Sequence, residues 1–164
     1  MGCQQMFYGC SLLDHTPYLK ATTLYANAYD SMFYGCTNLT SAEDIKAYNL
    51  TGSHIFYRMF YNCKKLDTTP IFYKSGSVLE YEMYQMFYGC SAIKTNLVSL
   101  GDITSIGTYG CYGMFRDCTS LTSVGAISAT TIGANGCYGM FRGCTSLKSL
   151  TTFAPTKLTS SSLR

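Results

Sequence analysis

The pentapeptide MFYGC occupies residues 6–10, 32–36 and 86–90, and the near copies MFYNC, MFRDC and MFRGC occupy 59–63, 114–118 and 140–144. The six motif methionines stand 26, 27, 27, 28 and 26 residues apart. A period in the 20s that wanders by one or two residues is the signature of stacked structural units, each of which buries its apolar side only against its neighbours. The repeat therefore sets the organisation of the chain. A single domain spans 1–164, with motifs starting at 6, 32, 59, 86, 114 and 140. The Ser/Thr-rich segment 151–164, which has lost the motif, reads as a partial cap or a linker.

Taking each motif Met as position 0, position −3 holds Cys3, Tyr29, Phe56, Met83, Cys111 and Cys137. Position +1 is always Phe (Phe7, Phe33, Phe60, Phe87, Phe115, Phe141), and position +4 is always Cys (Cys10, Cys36, Cys63, Cys90, Cys118, Cys144). Offsets −3, 0, +1 and +4 reproduce the i, i+3, i+4, i+7 pattern of one helical face, so the spacing predicts a two-turn helix per repeat with these side chains as its core stripe. Position +7 is Leu13, Leu39, Leu66, Ile93, Leu121 and Leu147, followed by short β-prone residues that predict one brief strand per repeat. A further apolar position precedes each predicted helix at Leu24, Leu50, Val78, Ile106 and Ile132. The expected fold class is an α/β repeat solenoid, with one short parallel strand and one short helix in each of six repeats.

The strings IGTYGCYGMFRDCTSLTSV (106–124) and IGANGCYGMFRGCTSLKSL (132–150) resemble the BspA-like leucine-rich repeats. The consensus of that family runs roughly Ile-Gly, a short helix ending Ala-Phe-x-x-Cys, then x-Ser-Leu-Thr-x-Ile. The resemblance covers residues 3–150, with Met standing where the family usually has Ala. It implies a right-handed leucine-rich-repeat superhelix, an extracellular or cell-surface location, and a role in adhesion or in binding protein or carbohydrate.

Nine cysteines raise the questions of metal, disulfide and nucleophile. Pairs such as Cys3/Cys10 are seven residues apart, about 10.5 Å along a helix at about 1.5 Å per residue, too far for a disulfide to close within it. Adjacent rungs of a parallel sheet lie about 4.8 Å apart, so cross-rung disulfides stay open beside the reading of a buried thiol ladder. There is no C-x-x-C, and His15 and His54 stand in different repeats without ligand spacing, so no metal and no cofactor is expected. Lys64, Lys65, Glu80 and Glu82 read as solvated loop charges, and no nucleophile motif accompanies the Asp14–His15 pair. The chain is read as non-catalytic.

Two surfaces are candidates for binding. On the sheet side, positions +8 and +9 carry Asp14 and His15, Thr40 and Ser41, Asp67 and Thr68, Lys94 and Thr95, Thr122 and Ser123, and Lys148 and Ser149. On the helix side, position +2 carries Tyr8, Tyr34, Tyr61, Tyr88, Arg116 and Arg142. Beside it, position −2 carries Gln4, Asp30, Tyr57, Tyr84, Tyr112 and Tyr138. Tyrosine columns at rung spacing either stack into a stabilising ladder or present the amphipathic contact area that antibody paratopes use.

The remaining classes are narrowed by charge and hydropathy. Residues 1–102 hold seven Lys/Arg against eight Asp/Glu and residues 103–164 five against one, too sparse for a nucleic-acid face. No apolar run approaches the roughly 20 residues that span a bilayer, and the N-terminus has no export-signal pattern. That leaves a fragment of a longer polypeptide or a leaderless product. The leading functional expectation is a recognition or adhesion module for a protein or glycan ligand. The alternative is a structural spacer or self-associating rod, stacked end to end within a larger surface or phage-borne protein.

Overall fold

A computed structural model describes residues 2–96 and 98–159. Its elements are eight short strands, β1 (Thr23–Leu24), β2 (Asn49–Leu50), β3 (Gly76–Val78), β4 (Ile103–Ile106), β5 (Ser123–Val124), β6 (Thr131–Ile132), β7 (Ser149–Leu150) and β8 (Lys157–Leu158). Every pairing is parallel and joins equivalent positions of successive repeats, such as Ile106 with Ile132 and Val124 with Leu150. The architecture is all-β.

Three ladders run from repeat to repeat. The first lies at position +9, where His15 bridges Ser41, Thr68 bridges Thr95, Thr95 bridges Ser123, and β5 pairs with β7. The second joins Ile45 to Phe72, and Leu100 to Ile127 and Phe153. The third is β1–β2 and then β3–β4–β6–β8, which carries the apolar column Leu24, Leu50, Val78, Ile106 and Ile132. The single strand expected per repeat is thus three pairing positions.

The expected helix is absent among the described residues, and with it the α/β, leucine-rich-repeat-like architecture. Residues around each motif form a ribbon of consecutive tight turns. Even offsets donate their N–H within the rung to the carbonyl three residues back, as Met59 does to Phe56, Tyr61 to Arg58 and Cys63 to Phe60. Odd offsets donate to the next rung: Arg58 to Tyr84, Phe60 to Met86 and Asn62 to Tyr88, at 2.7–2.9 Å. Half the backbone donors of the ribbon therefore make cross-rung bonds that a helix would spend internally.

Positive φ recurs every four residues, at offsets −5, −1 and +3, for example His54, Arg58 and Asn62. The turns from −3 to 0 and from +1 to +4 thus have a left-handed third residue, as type II turns require. Position +3 is written accordingly, with Gly9, Gly35, Asn62, Gly89, Asp117 and Gly143, the residue types that tolerate that region. Where a rung carries a side chain here, the next must not. A Cβ on Gly89 would collide with the Asn62 amide, and one on Gly143 with the Asp117 carboxylate.

A four-residue turn period buries the same offsets as two turns of helix, which is why the apolar pattern fits both. Met32, Met59, Met86 and Met114 are buried, as are Phe33, Phe60, Phe87 and Phe115. The phenylalanines form an interior stack from Phe7 to Phe141 with centroids 5.4–5.9 Å apart.

Candidate binding surfaces

The first ladder presents positions +8 and +9 on one face. All twelve residues are exposed except the half-buried Thr68. The chain turns inward at +10, where Thr16, Thr69 and Val124 are buried. Thr40 and Thr122 donate their hydroxyls to the carbonyls of Asp14 and Lys94, one rung back, at 2.9 and 3.4 Å. These bonds hold the side chains along the rung axis while leaving the oxygen lone pairs toward solvent. Charge along the +8 row changes sign, from Asp14 and Asp67 in the first half to Lys94 and Lys148 in the second. Asp14 Oδ1 lies 2.6 Å from His15 Nδ1 at the exposed end of the row.

The turn ribbon carries the aromatic columns. At +2, Tyr8, Tyr34, Tyr61 and Tyr88 stack with centroids 4.6–4.7 Å apart and planes within 6°. At −2, Tyr57, Tyr84, Tyr112 and Tyr138 stack at 4.8–5.0 Å. A third column at −5, His54, Tyr81 and Tyr109, stacks at 4.8 Å and was not legible as aromatic from the motif alone. Arg58 binds the first two columns together. Its guanidinium lies 5.0–5.7 Å from the rings of Tyr57, Tyr61 and Tyr84, and its Nε donates to Gln85 Oε1 at 2.9 Å. Arg116 covers the Tyr88 ring at 5.4 Å.

Within these stacks the ring faces are occupied by one another. Inside each stack only edges and hydroxyls are left for a ligand, whereas terminal rings such as Tyr8 and Tyr138 each stack on one neighbour of their column. Burial, and then the neighbouring tyrosines, push the Tyr34 and Tyr61 hydroxyls above their ordinary pKa. They stay neutral donors.

Comparison with protein families matches residues 1–100 to the family described as Mycoplasma protein of unknown function, DUF285. The chain belongs to the DUF285 family. No curated protein and no solved structure matches it.

The cysteine column of this DUF285 chain has a defined bonding role. Each Sγ–H from the second rung on donates to the motif Phe carbonyl one rung back: Cys36 to Phe7, Cys63 to Phe33, Cys90 to Phe60, Cys118 to Phe87 and Cys144 to Phe115, at 2.9–3.2 Å. All nine thiols are free. Burial pushes Cys36 and Cys137 up to about 12 and Cys144 up to about 11, and Cys90, Cys111 and Cys118 also rise. A protonated thiol is a donor and a poor nucleophile. Among the described residues no three His, Cys, Asp or Glu side chains converge as metal ligands.

One charge departs from expectation. Glu82 is fully buried rather than solvated, at the −4 position where other rungs have Ala28, Ile55, Gly110 and Gly136. Its Oε2 accepts from the Leu79 N–H at 2.7 Å and its Oε1 faces Lys74 Nζ at 3.1 Å. Lys64, Lys65 and Glu80 are exposed.

Proposed function

We propose that this DUF285 chain is a non-catalytic recognition module that engages a protein or glycan ligand through the +8/+9 face. The observation that carries this reading is the contrast between the two surfaces. Stacking consumes the ring faces of the tyrosine columns. The +8/+9 row instead exposes hydroxyls, two carboxylates and two ammonium groups, and the Thr40 and Thr122 hydroxyls are held by backbone bonds that lower the entropy cost of binding. The buried, protonated thiols leave no activated nucleophile in the interior. The family comparison assigns no activity. The similarity of 106–124 and 132–150 to adhesion-type BspA-like repeats points the same way.

The test is a glycan array and an extracellular-protein array probed with the wild type, with Thr40→Ala/Thr95→Ala, and with Tyr34→Ala/Tyr88→Ala. Folding of each is checked by circular dichroism. The expected result is a ligand whose affinity falls about tenfold in the threonine variant, the loss of one or two exposed hydrogen bonds, and holds in the tyrosine variant. Ligands lost only in the tyrosine variant would move the site to the turn ribbon. No reproducible ligand on either array would overturn the reading.

A further inference from the structure

The regular stack is interrupted in its middle, on the side between the second and third ladders. Ile45 to Leu50 and Ile127 to Ile132 span five residue steps, whereas Phe72 to Val78 and Leu100 to Ile106 span six. The register of β3 on β4 slips between Gly76 and Ser77, which leaves Thr104 without a partner in β3. A bulge of this kind bends the strand and re-aims the side chains beside it. Here it borders a cleft of about 350 Å³ lined by residues that include Ile71, Tyr73, Lys74, Ser75, Ser99 and Asp102. Sites for small molecules run from about 300 Å³ upward.

The cleft exists because side chains alternate in size along the rungs. The residue following the second-ladder position is Lys46, then Tyr73, then Gly101. Tyr73 is thus succeeded by a residue with no side chain, and a Cβ at Gly101 would meet only Ser99 Oγ, at 3.5 Å. One rung back from Tyr73 stands Tyr48, with ring centroids 6.3 Å apart and planes at 59°. The two rings are 44% and 61% exposed. Unlike the parallel rings of the turn ribbon, they do not close each other's faces.

The polar lining is neutral hydroxyl plus one carboxylate. Ser99 Oγ accepts from the Gly101 N–H at 3.3 Å and keeps its own proton to donate. The exposed Asp102 carboxylate pairs with no basic group among the described residues. Lys74 is only 8% exposed and its ammonium faces Glu82 Oε1 at 3.1 Å, so it offers the cleft an alkyl stem rather than a free charge.

We propose that this cleft binds a neutral saccharide, at a site separate from the +8/+9 face. A sugar ring has an apolar C–H face, which an open tyrosine ring can cover, and a rim of hydroxyls, which a carboxylate and serine hydroxyls can bond as acceptors and donors. Asp102 disfavours an anion. The exposed Lys46, two residues before Tyr48 on the same outward side of the rung, disfavours a cation.

Saturation-transfer NMR on the full chain with maltotriose, cellotriose, mannotriose and triacetylchitotriose tests the proposal. Transfer to the C–H protons of at least one of these sugars is expected. Tyr73→Ala and Asp102→Ala should each weaken that sugar about tenfold, the loss of one ring contact or one charge-assisted bond. Gly101→Leu, which fills the cleft without removing a recognition group, should abolish the transfer. Thr40→Ala/Thr95→Ala should leave it unchanged, so this site and the +8/+9 face can fail separately. Folding of each variant is checked by circular dichroism, and Tyr48→Ala replaces Tyr73→Ala should the latter misfold. The proposal is overturned if none of the four sugars receives transfer, if folded Gly101→Leu binds as wild type does, or if only the threonine variant loses binding. Displacement of the sugar by tetramethylammonium also overturns it, since the tyrosines would then form a cation cage.

Discussion

The first and third rungs are written in nearly the same letters, MFYGC and MFYNC, and they occupy different environments. Met6 is 62% exposed and Met59 fully buried; Cys10 is exposed, whereas Cys63 is buried and donates to Phe33 O. Phe7 stacks on one phenylalanine and Phe60 on two. Identical side chains thus acquire their energetics from the rungs on either side, as expected where each unit contacts only its neighbours. The comparison turns every motif position into a matched pair, one copy at the edge and one inside.

The largest effect is expected at +1. Phe60→Ala empties a fully buried site between Phe33 and Phe87 and should cost about 3–5 kcal/mol. Phe7→Ala removes a half-buried ring with a single stacking partner and should cost about 1–2 kcal/mol. Urea titration of both variants measures the gap, and equal losses would show that the first rung is as tightly held as the third.

Next come two glycines with the same backbone and different surroundings. Gly9 and Gly89 both have φ of 72°, but an added methyl meets nothing within 4 Å at Gly9 and the Asn62 amide at Gly89. Gly9→Ala therefore bears only the left-handed penalty, about 1–2 kcal/mol. Gly89→Ala adds an overpacking cost of about 1–3 kcal/mol. The double variant Asn62→Gly/Gly89→Ala should recover that second part. If it does not, the collision is relieved by another route.

The same glycines mark the limit of what was legible in the sequence. Period, repeat count and inward offsets follow from apolar spacing, because spacing reports which side chains face the core. Spacing is silent on the backbone where a four-residue turn ribbon and a 3.6-residue helix bury the same positions. The distinguishing signal was the Gly, Asn or Asp at +3, unfavourable in a helix interior and suited to positive φ. The second ladder and the −5 aromatic column depend on where each rung bends, and no local motif encodes that. Glu82 looked like surface because its partner Lys74 is eight residues away on a different side of the rung.

Smaller still is the effect at +4. Cys63→Ala removes a buried sulfur and the thiol bond to Phe33 O, but that carbonyl keeps its bond from the Cys36 N–H at 3.2 Å. A loss of about 1–2 kcal/mol is expected, against less than about 0.5 kcal/mol for the exposed Cys10→Ala. Thiol labelling gives an independent reading of the same asymmetry. Cys3 and Cys10, exposed at the first rung, should react at once in native protein at pH 8, the half-buried Cys144 more slowly, and the six buried thiols only after unfolding. Fast labelling of Cys63 would mean that the central rungs open readily.

The smallest expected effect is a pH dependence, which contrasts the central rungs with one another through the buried Lys74–Glu82 pair. Desolvation raises the Glu82 pKa, and the Lys74 ammonium and the Leu79 N–H offset it only in part. An acid whose folded pKa lies above its unfolded value near 4.3 favours folding most when protonated. Its stabilising contribution is complete below about pH 4.3 and is lost as pH rises through the raised folded value. Urea midpoints measured from pH 4 to 8 should therefore fall with pH in the wild type, by more than in Lys74→Met/Glu82→Leu. That double replacement exchanges the pair for apolar volume and should match or exceed wild-type stability at neutral pH. Glu82→Leu alone strands the Lys74 ammonium, 8% exposed, and should be less stable than either. A wild-type midpoint that instead climbs with pH would mean that the ion pair outweighs the desolvation of its carboxylate, making this rung the strongest joint of the stack.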